Sequence, residues 1–208
     1  MDGPDFLELF ERRMAQPPPP VEAQLETLRR LGLRLTPEAE AACVPDPPYL
    51  PVLEALGRGR YDPVLGVWTP TSRQVFYMDE WAEWADEIYP LYFQGLESIA
   101  EDQVFFREIF ADFRSVDRET GSGTVPISLE LNRRPLCLTA RFYADGPDCT
   151  ILNGVNRALA AQGVEKRFFF TDGGRGEVVF FCTAAWARQF EEATLCWTSD
   201  WHLTEVDV

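Results

Sequence analysis

Residues 166–182 read KRFFFTDGGRGEVVFFC, and this stretch decides the fold. Two short apolar runs, at 168–170 and 178–181, flank a glycine-rich segment that spans residues 172–176. Their length and their aromatic and β-branched residues predict two strands, 166–171 and 177–182, joined as a hairpin. Both strands are apolar at consecutive positions, so both of their faces need a cover. We expect the N-terminal half of the chain to supply the second cover.

The hairpin belongs to a regular pattern that extends over residues 125–208. Strands are predicted at 125–131 and 136–143, ahead of a helix at 149–162 that Asp148 caps. Thr183 caps a second helix that runs to Ala193, and a last strand is predicted over 195–203. The order β-β-α-β-β-α with short connections favours a mainly antiparallel sheet. The sequence therefore predicts an α+β protein.

The N-terminal half is predicted to be mostly helical, with one β-hairpin. Proline runs separate short helices around residues 25–31, 36–42 and 50–56. The hairpin pairs 64–68 with 74–78. The polar segment DRETGSGT at 117–124 is a linker or a loop between the halves 1–116 and 125–208. Because the hairpin at 166–182 needs a second cover, we expect the halves to pack as one composite domain.

Charge and cysteine usage exclude several classes of protein. The 208 residues carry a net charge of −15, which disfavours binding to nucleic acid or to an anionic membrane. Neither an apolar stretch of about 18 residues nor a secretory leader pattern is found. The five cysteines are scattered, which indicates buried reduced thiols rather than disulfides or a metal site. With one lysine against 18 arginines, we expect a bacterial, cytoplasmic protein.

The acidic–aromatic segment, residues 79–112, stands out from the rest of the chain. It holds ten acidic residues, a single base, Arg107, and many aromatic residues. We predict two helices here, the second with a capping box at Ser98 and Glu101 and an end near Arg114. Carboxylates on one face and aromatic anchors at the break between the helices would form a surface for a basic partner. The candidate partner-binding residues are Glu80, Glu83, Asp86, Glu87, Tyr89, Tyr92, Phe93, Glu97 and Glu101. A solvated helical face is the alternative interpretation of the same charges.

Catalytic chemistry finds little support in the sequence. His202 is the only histidine, and Ser199 and Asp200 lie too close to it along the chain to form a triad. The glycine-rich segment at 172–176 lacks the phosphate-loop pattern, and Asp145 with Asp148 falls short of a calcium loop. We therefore predict no catalytic residue, no cofactor and no metal ligand.

These observations favour a protein that binds another protein. The first hypothesis is an immunity-type inhibitor that neutralises a basic toxin or effector through the acidic–aromatic segment. An acidic secretion chaperone or adaptor is the second hypothesis, and a carboxylate-based enzyme is the third. A folded partner in the complex would argue against a chaperone, and a concave cluster of acids with shifted pKa values would favour an enzyme. The oligomeric state stays open.

Overall fold

The computed structural model describes residues 11–13, 15–62, 64, 67–79, 88–142, 147–172 and 176–198. The helices are α1 (Val21–Arg30), α2 (Pro37–Ala41), α3 (Leu50–Gly57), α4 (Ile88–Ile99), a 3-10 turn at Cys149–Ile151, α5 (Leu152–Ala161) and α6 (Ala184–Thr194). The strands are β1 (Arg60–Asp62), β2 (Val67–Thr69), β3 (Val75–Asp79), β4 (Phe106–Ala111), β5 (Thr124–Leu131), β6 (Arg134–Arg141), β7 (Arg167–Asp172) and β8 (Gly176–Cys182). The α+β prediction is confirmed, with the β-β-α-β-β-α order in the C-terminal half.

The strands form two three-stranded antiparallel sheets and one short pair. The first sheet has the order β3-β8-β7, the second has the order β4-β5-β6, and β1 pairs with β2. The two C-terminal hairpins therefore lie in different sheets, each completed by a strand from the N-terminal half. Residues 195–198 form no strand, and the remainder of the predicted last strand lies outside the described residues.

The β3-β8-β7 sheet is buried on both faces, as the apolar runs predict. On β8, Val179 and Phe181 join one core cluster, whereas Val178 and Phe180 join the other. The first cluster packs this sheet against α4, α5 and the inner face of the second sheet. The second cluster packs it against α1, α2, α3 and α6. The N-terminal helices thus supply the second cover.

The predicted hairpin of 64–68 with 74–78 is wrong. Both regions contain a strand, but β2 pairs with β1 and β3 pairs with β8. Val75, Phe76 and Tyr77 are all buried, so β3 needs a cover on each face and is satisfied only beside the central strand. The hydroxyl of Thr71 also ties the intervening loop to the carbonyls of Leu56 and Arg58.

The predicted helix from Ile99 to Arg114 is also wrong, because this region contains β4. Ser98 lies in the last turn of α4 and donates a hydrogen bond to the carbonyl of Gly95, so it caps no new helix. Glu101 and Asp102 both have positive φ, which turns the chain out of the helical path. Gly95 lies inside α4, where the Phe76 ring occupies the space that a Cβ would fill.

Gln24 joins the polyproline run to the loop before α3. Its side chain is fully buried and donates hydrogen bonds of 2.9 Å to the carbonyls of Pro19 and Val44. Its carbonyl oxygen accepts a 2.8 Å bond from the backbone N–H of Tyr49. One amide therefore satisfies three backbone groups in segments that lack regular structure.

Candidate functional site

The acidic–aromatic segment is the candidate site, and the structure divides it into three parts. Glu80, Glu83, Asp86 and Glu87 lie outside the described residues, so the predicted acidic face of the first helix stays a prediction. The second part is α4, and the third is the connection from Glu101 through β4. Each described part departs from the expected pair of helices in a different way.

Helix α4 buries the three aromatic residues that were predicted as anchors. Tyr89, Tyr92 and Phe93 are between 0% and 2% exposed, so the expectation that they face a partner is wrong. The ring centroid of Phe93 lies 4.8 Å from that of Phe106, and the Tyr92 ring lies 5.8 Å from Phe76. The cause is that α4 packs against both sheets, so its apolar side chains enter the core instead of the solvent.

Glu97 is brought to the outer edge of β4 and is paired with Arg107. The carboxylate of Glu97 accepts a 2.9 Å hydrogen bond from the backbone N–H of Phe106. It also forms an ion pair with the Arg107 guanidinium, with an N–O distance of 2.9 Å. The same guanidinium donates to the carbonyl of Phe106 at 2.6 Å. Both backbone groups of Phe106 on the unpaired edge of the sheet are therefore satisfied by side chains, which protects this edge from pairing with another strand.

Two exposed phenylalanines flank this ion pair, and the sequence analysis did not select them. Phe105 is 42% exposed and Phe110 is 62% exposed. Phe110 pairs in register with Ser128 on β5, whose outward residues alternate with buried ones. The register of β4 on β5 is irregular between Arg107 and Phe110, and Glu108 within this irregularity has a positive φ. As a result, Arg107 and Phe110 both lie on the solvent face of the sheet. Only a strand assignment for residues 106–111 could have revealed this exposure.

We define the β4 edge surface as Glu97, Phe105, Arg107, Glu108 and Phe110. A cleft of about 430 Å³ lies between α4 and β4, and Glu97, Arg107, Glu108 and Ile109 contribute to its lining. The Arg107 guanidinium lies 5.9 Å from the centroid of the Phe105 ring, which supports that ring at the surface. The surface thus combines carboxylates with exposed aromatic rings, and these rings are not those of the predicted Tyr89, Tyr92 and Phe93.

Glu101 faces another direction and is paired with the single lysine of the chain. Its carboxylate forms an ion pair with Lys166, the residue that precedes β7, and its side chain is about half exposed. Glu97 and Glu101 therefore serve two separate parts of the surface, and the structure does not bring them together in one cluster.

A group of polar side chains is buried beneath α4, where Tyr92, Cys149 and Glu177 meet. The Cys149 thiol donates a hydrogen bond to the Glu177 carboxylate. Burial raises the pKa of Cys149, and the nearby Glu177 charge raises it further. Burial is also the main cause of the raised pKa of Tyr92, and the Glu177 charge is again the second cause. Both groups are therefore kept protonated, so this thiol is not an activated nucleophile.

Two carboxylates have lowered pKa values with local causes: Asp112 is half-buried and Asp117 is exposed. The pKa of Asp112 is lowered to about 2 by hydrogen bonds from the side chain and backbone of Arg114. Hydrogen bonds from Thr120 and from the backbone of Glu119 lower the pKa of Asp117. Each carboxylate serves a turn, and neither is part of a concave acidic cluster of the kind that an acid–base mechanism needs.

The five cysteines all carry free thiols. Cys149, Cys182 and Cys196 are buried as expected, whereas Cys43 is half-buried and Cys137 is exposed on the outer face of β6. The part of the chain that the structure describes contains no group of three or more His, Cys, Asp or Glu side chains that could hold a metal ion. Within the same residues, each helix is too short or too polar to cross a bilayer. Ser199, Asp200 and His202 lie outside this part of the chain.

The chain was compared with known protein families, curated proteins and solved structures. No protein-family model, no curated protein and no solved structure matches the chain.

Proposed function

We propose that the chain is a cytoplasmic bacterial protein of the immunity type, which binds and neutralises a basic toxin or effector. The observation that carries the proposal is the β4 edge surface, where the rings of Phe105 and Phe110 are exposed and Glu97 and Glu108 line the cleft between α4 and β4. Exposed aromatic residues are typical anchors of protein interfaces, and nearby carboxylates select a cationic partner.

The overall charge supports a basic partner in a second way. A net charge of −15 repels acidic proteins and accelerates the encounter with a basic one at low ionic strength. Glu97 is already paired with Arg107, so Glu108 is the carboxylate of the β4 edge surface that is exposed and makes no ion pair within the described residues. We expect Glu108 to bind the partner's cation, with Phe110 as the apolar anchor beside it.

The proposal is tested by capturing the partner from a lysate of the source organism and then measuring the purified pair. We expect one basic protein that leaves the immobilised chain only at high salt. Phe110→Ser and Glu108→Arg should each weaken the binding of that protein by about tenfold or more. Co-expression of the chain should relieve the partner's toxicity to a host cell, and the two variants should relieve it less.

Matched controls separate this surface from general effects of charge and apolarity. Val64→Ser removes another exposed apolar side chain, and Glu192→Arg reverses an exposed charge on α6. Unchanged binding by the β4 variants, or an equal loss in these controls, would overturn the proposal. Reversal of Glu80, Glu83 and Glu87 tests whether the rest of the acidic–aromatic segment contributes. Hydrogen exchange that shows the captured protein unfolded in the complex would favour the chaperone instead.

A further inference from the structure

A separate cavity lies at the end of the β3-β8-β7 sheet where β8 leads into α6, and residues from both core clusters line it. It has a volume of about 210 Å³. Its walls are mainly apolar and include Leu33, Ile99, Phe180, Phe181 and Trp186. Drug-sized ligands occupy pockets of about 300–1,000 Å³, so this cavity suits a smaller molecule with an apolar body.

Trp186 provides a fixed flat wall of the cavity. Its indole N–H donates a 2.9 Å hydrogen bond to the carbonyl of Leu31, which holds the ring in one orientation. The indole ring also stacks nearly parallel to the ring of Phe190, with the two ring centroids 5.5 Å apart. The ring is only half-buried, so part of it stays open toward the cavity. A preorganised aromatic wall favours a flat ligand, because little side-chain freedom is lost on binding.

The charged side chains of the cavity leave one positive charge without a partner. Lys166 forms an ion pair with Glu101, and its ammonium lies 6.0 Å from the centroid of the Phe181 ring. Arg73 also lines the cavity, is exposed, and makes neither an ion pair nor a hydrogen bond with the described residues. Two cations and one carboxylate therefore meet at a cavity in a strongly acidic chain. This local excess of positive charge selects an anion with a single charge.

We propose that the cavity binds a small organic monocarboxylate with a flat apolar body. The carboxylate pairs with the guanidinium of Arg73, whose planar donors match both of its oxygens. The apolar body lies against Trp186 and Phe180, whose ring centroids are 5.3 Å apart. This site is independent of the β4 edge surface, because the two share no residue.

The test uses 4-fluorobenzoate as the ligand, followed by its own 19F signal, with 4-fluorobenzylamine as the matched cation. The intact chain should bind fluorobenzoate saturably and fluorobenzylamine far more weakly. Binding should also perturb the indole N–H signal of Trp186 in an 15N spectrum. Arg73→Gln should weaken fluorobenzoate binding by about fivefold or more, because a charge-assisted hydrogen bond is lost.

Arg157→Gln is the control, because Arg157 is an exposed arginine on α5 that does not line the cavity. It should leave the affinity for fluorobenzoate unchanged. The proposal is overturned if fluorobenzoate shows no saturable binding, if the benzylamine binds equally well, or if Arg73→Gln and Arg157→Gln behave alike. Binding that leaves the Trp186 signal unchanged would place the ligand elsewhere and would also overturn it.

Discussion

Asn156 on α5 exchanges two hydrogen bonds with the backbone of Phe168 on β7. The amide donates to the Phe168 carbonyl, its oxygen accepts from the Phe168 N–H, and both distances are 2.9 Å. Strand β7 is an edge of its sheet, so the side chain takes the place of a neighbouring strand. Glu97 and Arg107 serve the same purpose at the edge of β4. Each of the two three-stranded sheets thus has one edge that is protected by side chains.

Replacing Asn156 tests how much this contact stabilises the fold. We expect Asn156→Ala to lower the free energy of unfolding by about 2–3 kcal/mol, because two buried backbone groups lose their partners. Urea denaturation of the purified chain measures the change. Asn153→Ala, on the same helix, is the matched control, and a loss of equal size there would contradict the assigned role of Asn156.

Gln24 should have a similar importance in the N-terminal layer. We expect Gln24→Met, which keeps the volume of the side chain, to cost about 2–3 kcal/mol, because the buried N–H of Tyr49 and the carbonyl of Val44 lose their hydrogen bonds. Glu26→Met changes an exposed position of the same helix and should stay within about 0.5 kcal/mol of wild type. Thermal unfolding measures the stability of both variants, and an equal loss in Glu26→Met would contradict the role of Gln24.

Gly95 is predicted to resist a substitution that usually stabilises helices. Alanine is favoured over glycine by about 1 kcal/mol inside a helix, but a Cβ at position 95 would overlap the Phe76 ring. We therefore expect Gly95→Ala to destabilise the protein by about 1–3 kcal/mol. Chemical denaturation measures the sign. The double variant with Phe76→Leu should recover part of the loss, and strict additivity would contradict the contact.

Asp112 provides a test of the electrostatics near β4. Arg114 lowers its folded pKa to about 2, below the usual value for aspartate. The pair therefore stabilises the fold above pH about 4, and this contribution disappears as the pH falls toward 2. A carbon-detected NMR titration should show a midpoint for Asp112 near 2. Arg114→Gln should move the midpoint upward, and an unchanged midpoint would mean that the backbone alone sets it.

The five thiols should differ strongly in reactivity. Cys137 is exposed, whereas burial raises the pKa values of Cys149 and Cys196. Since the thiolate is the reactive form, we expect the native chain to show one fast-reacting equivalent with a disulfide reagent at pH 8. Cys137→Ser should remove that phase and leave the slow phases intact. A fast phase that survives the substitution would show that another thiol is accessible.

The sequence predicts the architecture of this protein better than its surface. The apolar runs on β7 and β8 correctly require two covers, because burial on both faces leaves a direct mark on composition. The helix predicted over residues 106–111 is an error, and it arises because Phe106, Phe110 and Phe113 fit a helical stripe as well as a strand. That single error hid the exposure of Phe110. The burial of Tyr89, Tyr92 and Phe93 could not be predicted for a separate reason, because the sequence does not indicate that α4 packs against both sheets.

Strand pairing was harder to predict for a different reason. Strand β3 finds its partner about a hundred residues later, at positions 176–180. Local patterns contain no information on such a distant partner, so they favour pairing with the nearest strand instead. The same separation explains why each sheet combines strands from both halves of the chain.

The central position of β8 has a consequence for synthesis of the protein. The strand contributes to both core clusters, yet it begins at Gly176, after α1, α3 and α4 have all been synthesised. A ribosome adds about 5–20 residues each second, so most of the nascent chain waits several seconds with both cores open. During that interval the apolar faces of α1, α3 and α4 lack the sheet that covers them in the folded protein. Chains that terminate before residue 176 should never close either core and should be degraded.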